Sequence, residues 1–231
     1  MWRLGDDDEL IRHDQRQHRV RLPRRRPATI RRAVESAVEH GVSMEHPVDL
    51  QGFGRRSMRL TATEVRDAVL YQAAAIQGVA HACGGSLRHV KLHGALYNDA
   101  ARDAETAAGA VEAVSSLDPS LLLYAPPGSE TTRLGRKAGL RVIAEGFADR
   151  RAGQIAPEPP RPGSLITDPA AAAAQALLLA ASGRVVAHDG EEIPLRADTI
   201  CVHGDNPSAL EIVRAVRQTL ESAGVVVRRL E

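Results

Sequence analysis

The sequence predicts an α/β fold in which parallel strands alternate with helices. Short apolar runs such as 87–92 and 121–124 have the length of strands, and the segments between them carry apolar residues at helical spacing. Strands that are separated by helices pair in parallel, and the helices cover the sheet. A barrel and an open sheet both satisfy this alternation. In both, chemistry gathers beyond the carboxyl ends of the strands.

The first half of the chain contains three predicted helices and three predicted strands. Thr61 and Glu64 have the spacing of a capping box, and glycines at 41 and 84 mark helix ends. The predicted elements are helix 30–38, strand 42–46, helix 62–83, strand 87–92, helix 100–116 and strand 121–124.

The second half continues the same alternation around one long loop. Residues 146–163 are rich in Pro, Gly, Arg and acidic residues, and are too long for a simple connector. This loop is therefore a candidate active-site loop or lid. The predicted elements are helix 130–137, strand 140–145, helix 170–182, extended pieces 184–188 and 199–202, helix 207–223 and strand 225–228.

Composition indicates one globular domain over residues 1–231. The 30 basic and 29 acidic side chains leave a net charge of +1, which gives no general polyanion-binding character. Cys83 and Cys201 form no CxxC pair, which fits a reducing compartment. The start MWRLGDDDEL is acidic where a signal peptide is basic, and Gln175 interrupts the longest apolar run. We expect a cytoplasmic protein without membrane contact.

Polar residues are concentrated where predicted strands end. In HVKLHGALYN (89–98), the side chains of His89, Lys91 and His93 share one strand face, where burial is costly unless they are paired or functional. The alternative is an edge strand with a solvated face. Tyr97 and Asn98 open the next element.

Two further strand ends carry acids and bases. In AEGFADRR, Glu145 ends a strand, and Asp149 and Arg150 follow it. These side chains can orient substrate or water, or form a salt bridge that fixes the loop. In CVHGDNP, His203 and Asp205 follow a strand, and Asp205 or Asn206 can equally be a helix cap.

A fourth motif, HPVDLQGFGRR (46–56), places His46 after a strand and ends in the pair Arg55 and Arg56. Paired arginines suit carboxylate or phosphate recognition, although exposed arginine pairs are common. No Walker-type phosphate loop is present in the sequence.

The four motifs together resemble the LamB/YcsF family over nearly all of residues 28–231. The resemblance implies a modified β/α barrel of the glycoside hydrolase/deacetylase type. It also implies ATP-dependent opening of the 5-oxoproline lactam to L-glutamate, in which a protein of this family works with separate B and C subunits. ATP, with a divalent cation such as Mg²⁺ beside the nucleotide, is implied in the same way. No metal site of the chain itself is expected.

The resemblance also assigns roles to the matching residues. The expected catalytic residues are Lys91, His93, Glu145 and Asp205. The expected substrate-binding residues are His46, Arg55, Arg56, Tyr97, Asn98, Asp149, Arg150 and His203. Lys91 and Arg150 suit the neutralisation of developing negative charge, and His93 or Asp205 suits proton transfer. Arg55 or Arg56 suits the substrate carboxylate.

Other functions remain open at this point. One alternative is a metal-dependent deacetylase or amidohydrolase that uses His46, His93 and a carboxylate. Another is a non-catalytic interaction subunit. The arginine-rich segment 12–26 suggests nucleic-acid binding, but it has no aromatic residues to stack on bases.

Residues 1–27 depart from the family pattern and are expected to be out of frame or disordered. The family opens with an acidic strand that is absent here, so the barrel is expected to lack its first strand. Where the family has a Ser-Ala-Asn-x-Ala-Cys-Gly-x-His-Ala-Gly-Asp-Pro motif, residues 13–26 read HDQRQHRVRLPRRR. SMEHPVDL is also shorter than the matching family segment, which weakens the assignment of His46.

The genetic code explains the replaced motif. Codons for residues 13–26, completed by the first base of the Pro27 codon, exist that, read one base later, encode Thr-Thr-Ser-Ala-Asn-Ile-Ala-Cys-Gly-Phe-His-Ala-Gly-Asp. We infer two compensating frame changes, one before His13 and one near Pro27. The frame changes account for the arginine-rich segment without nucleic-acid binding. We also expect this exact chain to be inactive or nearly so.

Overall fold

The structure is a computed structural model that describes residues 27–39, 44–48, 57–151, 163–204 and 206–228, with the backbone alone for residues 27, 29 and 44–48. The chain divides into two compact units, Met1–Val142 and Ile143–Glu231. The prediction of one domain over the whole chain stays a prediction. The expected loss of a first strand concerns residues 1–26, which lie outside the described residues.

The first unit consists of parallel strands and helices, as the alternation predicts. Strands β1, β2 and β3 pair in parallel in that order, so β2 has a partner on each side. In chain order the elements are α1 (Pro27–Glu39), β1 (Met44–Val48), α2 (Ala62–Ala82), β2 (Leu87–Leu92), α3 (Gly94–Arg102), α4 (Ala104–Leu117), β3 (Leu122–Ala125) and α5 (Glu130–Lys137).

Helix α2 begins at the predicted capping box. The Thr61 side chain accepts a hydrogen bond from the Glu64 amide, and the Glu64 carboxylate accepts one from the Thr61 amide. Val65, Val69 and Ile76 form part of its buried face. The box satisfies amides that would otherwise lack partners at the helix start.

The predicted helix 100–116 is wrong, because two helices occupy this part of the chain. Asp103 has an extended backbone (φ −103°, ψ 118°), and its carboxylate accepts a hydrogen bond from the Thr106 amide. Asp103 therefore ends α3 and caps α4. An aspartate favours such a position because its side chain competes for backbone amides.

The second unit pairs two parallel strands and adds a hairpin. Strand β4 is parallel to β7, and β5 is antiparallel to β6. The elements are β4 (Val142–Phe147, from Ile143 onward in this unit), α6 (Pro169–Ser182), β5 (Arg184–Val186), β6 (Glu192–Pro194), β7 (Thr199–Cys201) and α7 (Ala209–Ser222). Strand β6 was not predicted from the sequence.

The core of the second unit lies between α6 and α7. Ala173 and Ala176 of α6 pack with Ile212 and Val216 of α7 in one buried cluster. The predicted strand 225–228 is wrong, because these residues form no strand. Val225 and Val227 instead pack against this cluster, so burial without strand pairing accounts for their apolar pattern.

The long loop after β4 has paired ends. Arg150 and Leu165 form an isolated antiparallel bridge, and the Arg151 amide donates to the Ser164 carbonyl at 3.0 Å. Residues 152–162, which include most of the candidate lid, lie outside the described residues. In the part of the chain that the structure describes, no helix is both long and apolar enough to span a membrane.

Candidate functional site

A buried aspartate organises the polar residues of the second unit. Asp149 has no exposed side-chain surface. Its Oδ1 lies 2.8 Å from Nδ1 of His203, and its Oδ2 accepts hydrogen bonds from the His203 amide at 3.1 Å and Asn206 Nδ2 at 3.2 Å. Arg150 Nη1 lies 3.3 Å from the same Oδ2. We call these four residues the Asp149 cluster.

Strand register places the members of this cluster together. Phe147 of β4 is in register with Cys201 of β7, and the Ala148 amide extends the ladder by donating to the Cys201 carbonyl at 3.0 Å. Both strands then end. Phe147 and Cys201 are thus the last residues of two adjacent parallel strands. Asp149 lies two residues after Phe147, and His203 lies two residues after Cys201, so both follow the carboxyl ends of these strands.

The amide side chains of Gln175 and Asn206 form hydrogen bonds to the Asp149 cluster and to the backbone beside it. Gln175 of α6 is buried, and its Nε2 lies 2.8 Å from the Phe147 carbonyl oxygen and 2.6 Å from that of Arg150. Asn206 Nδ2 also donates to the Ile166 carbonyl at 2.9 Å, while its Oδ1 accepts from the Ser208 amide. Asn206 therefore both caps the turn before α7 and holds the aspartate.

The hydrogen bonds of Gln175 to the backbone beside Asp149, and of Asn206 to Asp149 and to Ile166, were not predicted from the sequence; only a capping role was expected for Asn206. The only signals were an amide residue in an otherwise alanine- and leucine-rich helix, and an asparagine before a proline.

The cluster keeps Asp149 ionised. Burial alone raises the pKa of the Asp149 carboxyl. The hydrogen bond and charge of His203, the charge of Arg150 and the Asn206 hydrogen bond act in the opposite direction and together lower the pKa below its ordinary value. The interior therefore contains a carboxylate at neutral pH.

This lowered pKa predicts a loss of stability in acid. The folded-state pKa lies below the unfolded value, so the carboxylate stabilises the fold above the ordinary value of 3.8 and loses that contribution as pH falls toward the folded pKa. Asp149→Asn should flatten the fall in unfolding free energy between about pH 5 and pH 3, measured by urea denaturation. Asp189→Asn, which removes a carboxylate from an exposed turn, is the control variant. Equal pH slopes of the unfolding free energy in the parent, Asp149→Asn and Asp189→Asn proteins would contradict the assignment.

Buried polar residues on β2 organise the first unit. His89 and Lys91 are 3% and 4% exposed, and the His89 ring lies 4.4 Å from the Tyr124 ring. Lys91 Nζ lies 5.6 Å from the centre of the Tyr97 ring. Because β2 has a strand on each side, the alternative of an edge strand with a solvated face is wrong.

The chain turns sharply after β2, as expected. His93 is half-buried and is the N-cap residue of α3, although its side chain forms no capping hydrogen bond. Gly94 follows with φ +59°, a conformation that favours glycine. Tyr97 is buried and Asn98 is half-buried in the first turns of α3.

The structure locates some of the predicted site residues together. Asp149, Arg150 and His203 share one cluster, and Lys91 contacts Tyr97. The prediction that Glu145 ends a strand is wrong, because β4 continues to Phe147 and Glu145 is buried within it in register with Thr199. The backbone of His46 lies in β1, whereas Arg55, Arg56 and Asp205 lie outside the described residues. The individual catalytic and binding roles stay predictions.

The family model for the LamB/YcsF family matches residues 25–231. The chain belongs to the LamB/YcsF family. The match begins beside Pro27, near the point where we infer the return of the reading frame. Among LamB/YcsF relatives, the 5-oxoprolinase A subunit of Thermus thermophilus is 51% identical over 208 residues, which cover 87% of this chain and 83% of the relative.

Further comparisons agree with this assignment. The 5-oxoprolinase A subunit of Methylococcus capsulatus is 43% identical over 236 residues, covering 99% of this chain and 90% of the relative. The crystal structure of the lactam utilization protein from Thermus thermophilus matches with a TM-score of 0.82 and 45% identity, over 92% of this chain and 87% of that one. The predicted fold class, an α/β fold of the modified-barrel type, is confirmed by this likeness.

Proposed function

We propose that this LamB/YcsF chain is the A subunit of an ATP-dependent 5-oxoprolinase, which hydrolyses the lactam of 5-oxoproline to L-glutamate. The observation that carries the proposal is the 51% identity to a 5-oxoprolinase A subunit over 83% of that protein. The lactam utilization protein supports it as a structural relative. Identity at this level over most of both chains favours a shared reaction as well as a shared fold.

The described residues supply groups that such a reaction needs. Opening an unstrained amide requires proton transfer and stabilisation of the negative charge that develops on the carbonyl oxygen. The Asp149 cluster contains an imidazole held by a carboxylate. Lys91 and Arg150 are the cations that we propose for charge stabilisation, and Lys91 is almost completely buried.

ATP and a divalent cation such as Mg²⁺ enter the proposal through the family. Among the residues that the structure describes, no group of three or more His, Cys, Asp or Glu side chains is arranged to hold a metal ion. The chain also has no Walker-type loop. The described residues thus do not fit a resident metal ion or a familiar nucleotide site. We therefore assign no step of the reaction to a metal ion or to ATP bound by these residues.

We propose that the partners are the B and C subunits of the same enzyme. The relatives are named as A subunits, which indicates an enzyme of several subunits. The test of this function needs a variant of the chain, because we expect the unaltered chain to be inactive or nearly so. In this variant, which we call the motif-restored chain, residues 13–26 are replaced by the fourteen residues of the shifted reading frame.

The test is glutamate formation from 5-oxoproline by the motif-restored chain produced together with the B and C subunits. We expect turnover that requires ATP and stops when any one of the three proteins is left out. Release of acetate from an acetylated substrate without ATP, together with stoichiometric transition metal, would instead support the deacetylase alternative. A stable complex without turnover would support a non-catalytic interaction subunit.

A further inference from the structure

We propose that His203 is the residue that transfers protons during lactam opening, acting through Nε2, and that Asp149 and Asn206 position it. This inference rests on the proposed function. It gives His203 a catalytic role where the family resemblance implies substrate binding. The observation that carries it is the difference between the surroundings of the two nitrogens of the His203 ring.

The two nitrogens of the His203 ring differ in their surroundings. Nδ1 lies 2.8 Å from Asp149 Oδ1, so in the neutral ring the proton sits on Nδ1 and points at a carboxylate. Nε2 forms no hydrogen bond with any residue in the described parts of the chain. The side chain is 20% exposed. In the neutral ring, Nε2 therefore carries a lone pair that none of the described residues uses.

The ring is held by more than one contact. The His203 amide donates to Asp149 Oδ2 at 3.1 Å, so backbone and side chain bind the same carboxylate. The Phe147 ring lies 4.9 Å from the imidazole at an angle of 57°. These contacts limit rotation of the imidazole and keep Nε2 in one direction. A proton-transfer group is effective when its orientation is set before the substrate binds.

The carboxylate that holds the ring is itself held. Asn206 Nδ2 bridges Asp149 Oδ2 at 3.2 Å and the Ile166 carbonyl at 2.9 Å. Gln175 fixes the backbone on both sides of Asp149 through the carbonyls of Phe147 and Arg150. Burying a carboxylate and its hydrogen-bond donors requires their desolvation, whereas apolar residues in place of Asp149 and His203 would fill the same space without that cost. Stability alone therefore does not explain this arrangement.

Lactam opening needs one group that accepts a proton from water and later donates it to the lactam nitrogen, and His203 Nε2 suits this role. Water forms a C–O bond to the lactam carbonyl carbon and passes a proton to His203 Nε2. The C–N bond then breaks, and the ring nitrogen of the lactam takes the proton from Nε2. One lactam and one water become the open amino acid, and His203 returns to its neutral form with the proton on Nδ1.

The first part of the test is kinetic and uses the motif-restored chain in complex with the B and C subunits. His203→Gln should lower kcat at least about 100-fold with KM changed by less than about threefold. His188→Gln makes the same change at an exposed turn of the same unit and should keep full activity. Activity of the His203→Gln complex close to that of the parent would overturn the inference alone, whereas a parent complex without turnover would overturn the proposed function as well.

The second part measures the position of the ring proton by ¹⁵N NMR at alkaline pH, in the unaltered chain. We expect the Nδ1–H form for His203. Asp149→Asn should convert His203 to the Nε2–H form, and in the complex it should lower kcat at least about 100-fold. A merely structural Asp149 would change thermal stability without moving the proton. Finding the Nε2–H form in the unaltered chain would overturn the inference.

Discussion

Replacement of Lys91 by methionine should lower the kcat of the motif-restored complex at least about 100-fold while the chain keeps its fold. Methionine retains the length and most of the apolar surface of the side chain but removes the ammonium charge. Lys91 is 4% exposed on the central strand of the first unit, and its Nζ lies 5.6 Å from the Tyr97 ring centre. We expect this charge to stabilise the oxygen that becomes negative when the lactam is attacked.

The matched control for Lys91→Met is Arg88→Met. Arg88 is an exposed cation on the same strand, so the control removes the same charge from the same element. It should change kcat by less than about twofold. Thermal unfolding of both variants shows whether the fold is kept. Retention of full activity by Lys91→Met, or an equal loss in both variants, would contradict a role for Lys91 in charge stabilisation.

Replacement of Gly109 by alanine should lower the free energy of unfolding by about 2–3 kcal/mol. Gly109 lies in α4 where this helix crosses the start of α2. A Cβ atom at this position would overlap the Ala62 carbonyl oxygen, and it would lie 2.9 Å from the Ala62 carbonyl carbon and 3.1 Å from Ala62 Cα. These are backbone atoms in the first turn of α2, so they cannot move aside as a flexible side chain does.

Gly78→Ala is the matched control for Gly109→Ala. Gly78 is an exposed position within α2, and a Cβ atom there would have no neighbour within 4 Å. Alanine should therefore stabilise the helix by about 0.5–1 kcal/mol. Urea denaturation of the two variants gives both values. A loss of stability in Gly109→Ala below about 0.5 kcal/mol would show that α2 and α4 are not packed as closely as described.

Elements with strong local signals were predictable from the sequence. The bounds of β2 (Leu87–Leu92) and α5 (Glu130–Lys137) agree with the prediction, and the capping box at Thr61 has the expected hydrogen bonds. Each of these elements is specified by residues within its own span. The acids and bases beyond β4 and β7 were also found in this way, because polar residues at strand ends stand out against apolar runs.

Features that depend on partners distant in the chain were not predictable. The roles of Gln175 and Asn206 arise from hydrogen bonds to residues 28 and 57 positions away along the chain. Val225 and Val227 alternate like strand residues, but the interior of the second unit uses them without strand pairing. The break at Asp103 had a local signal, since aspartate favours helix caps, but continuous apolar spacing on both sides concealed it.

The central claim is that the described residues belong to a working A subunit of 5-oxoprolinase and that residues 13–26 separate this chain from activity. It is tested most directly by comparing ATP-dependent glutamate formation in two complexes with the B and C subunits, one with the unaltered chain and one with the motif-restored chain. We predict a rate at least about 100-fold higher for the motif-restored chain. Equal rates in the two complexes, or no turnover in either, would contradict the claim.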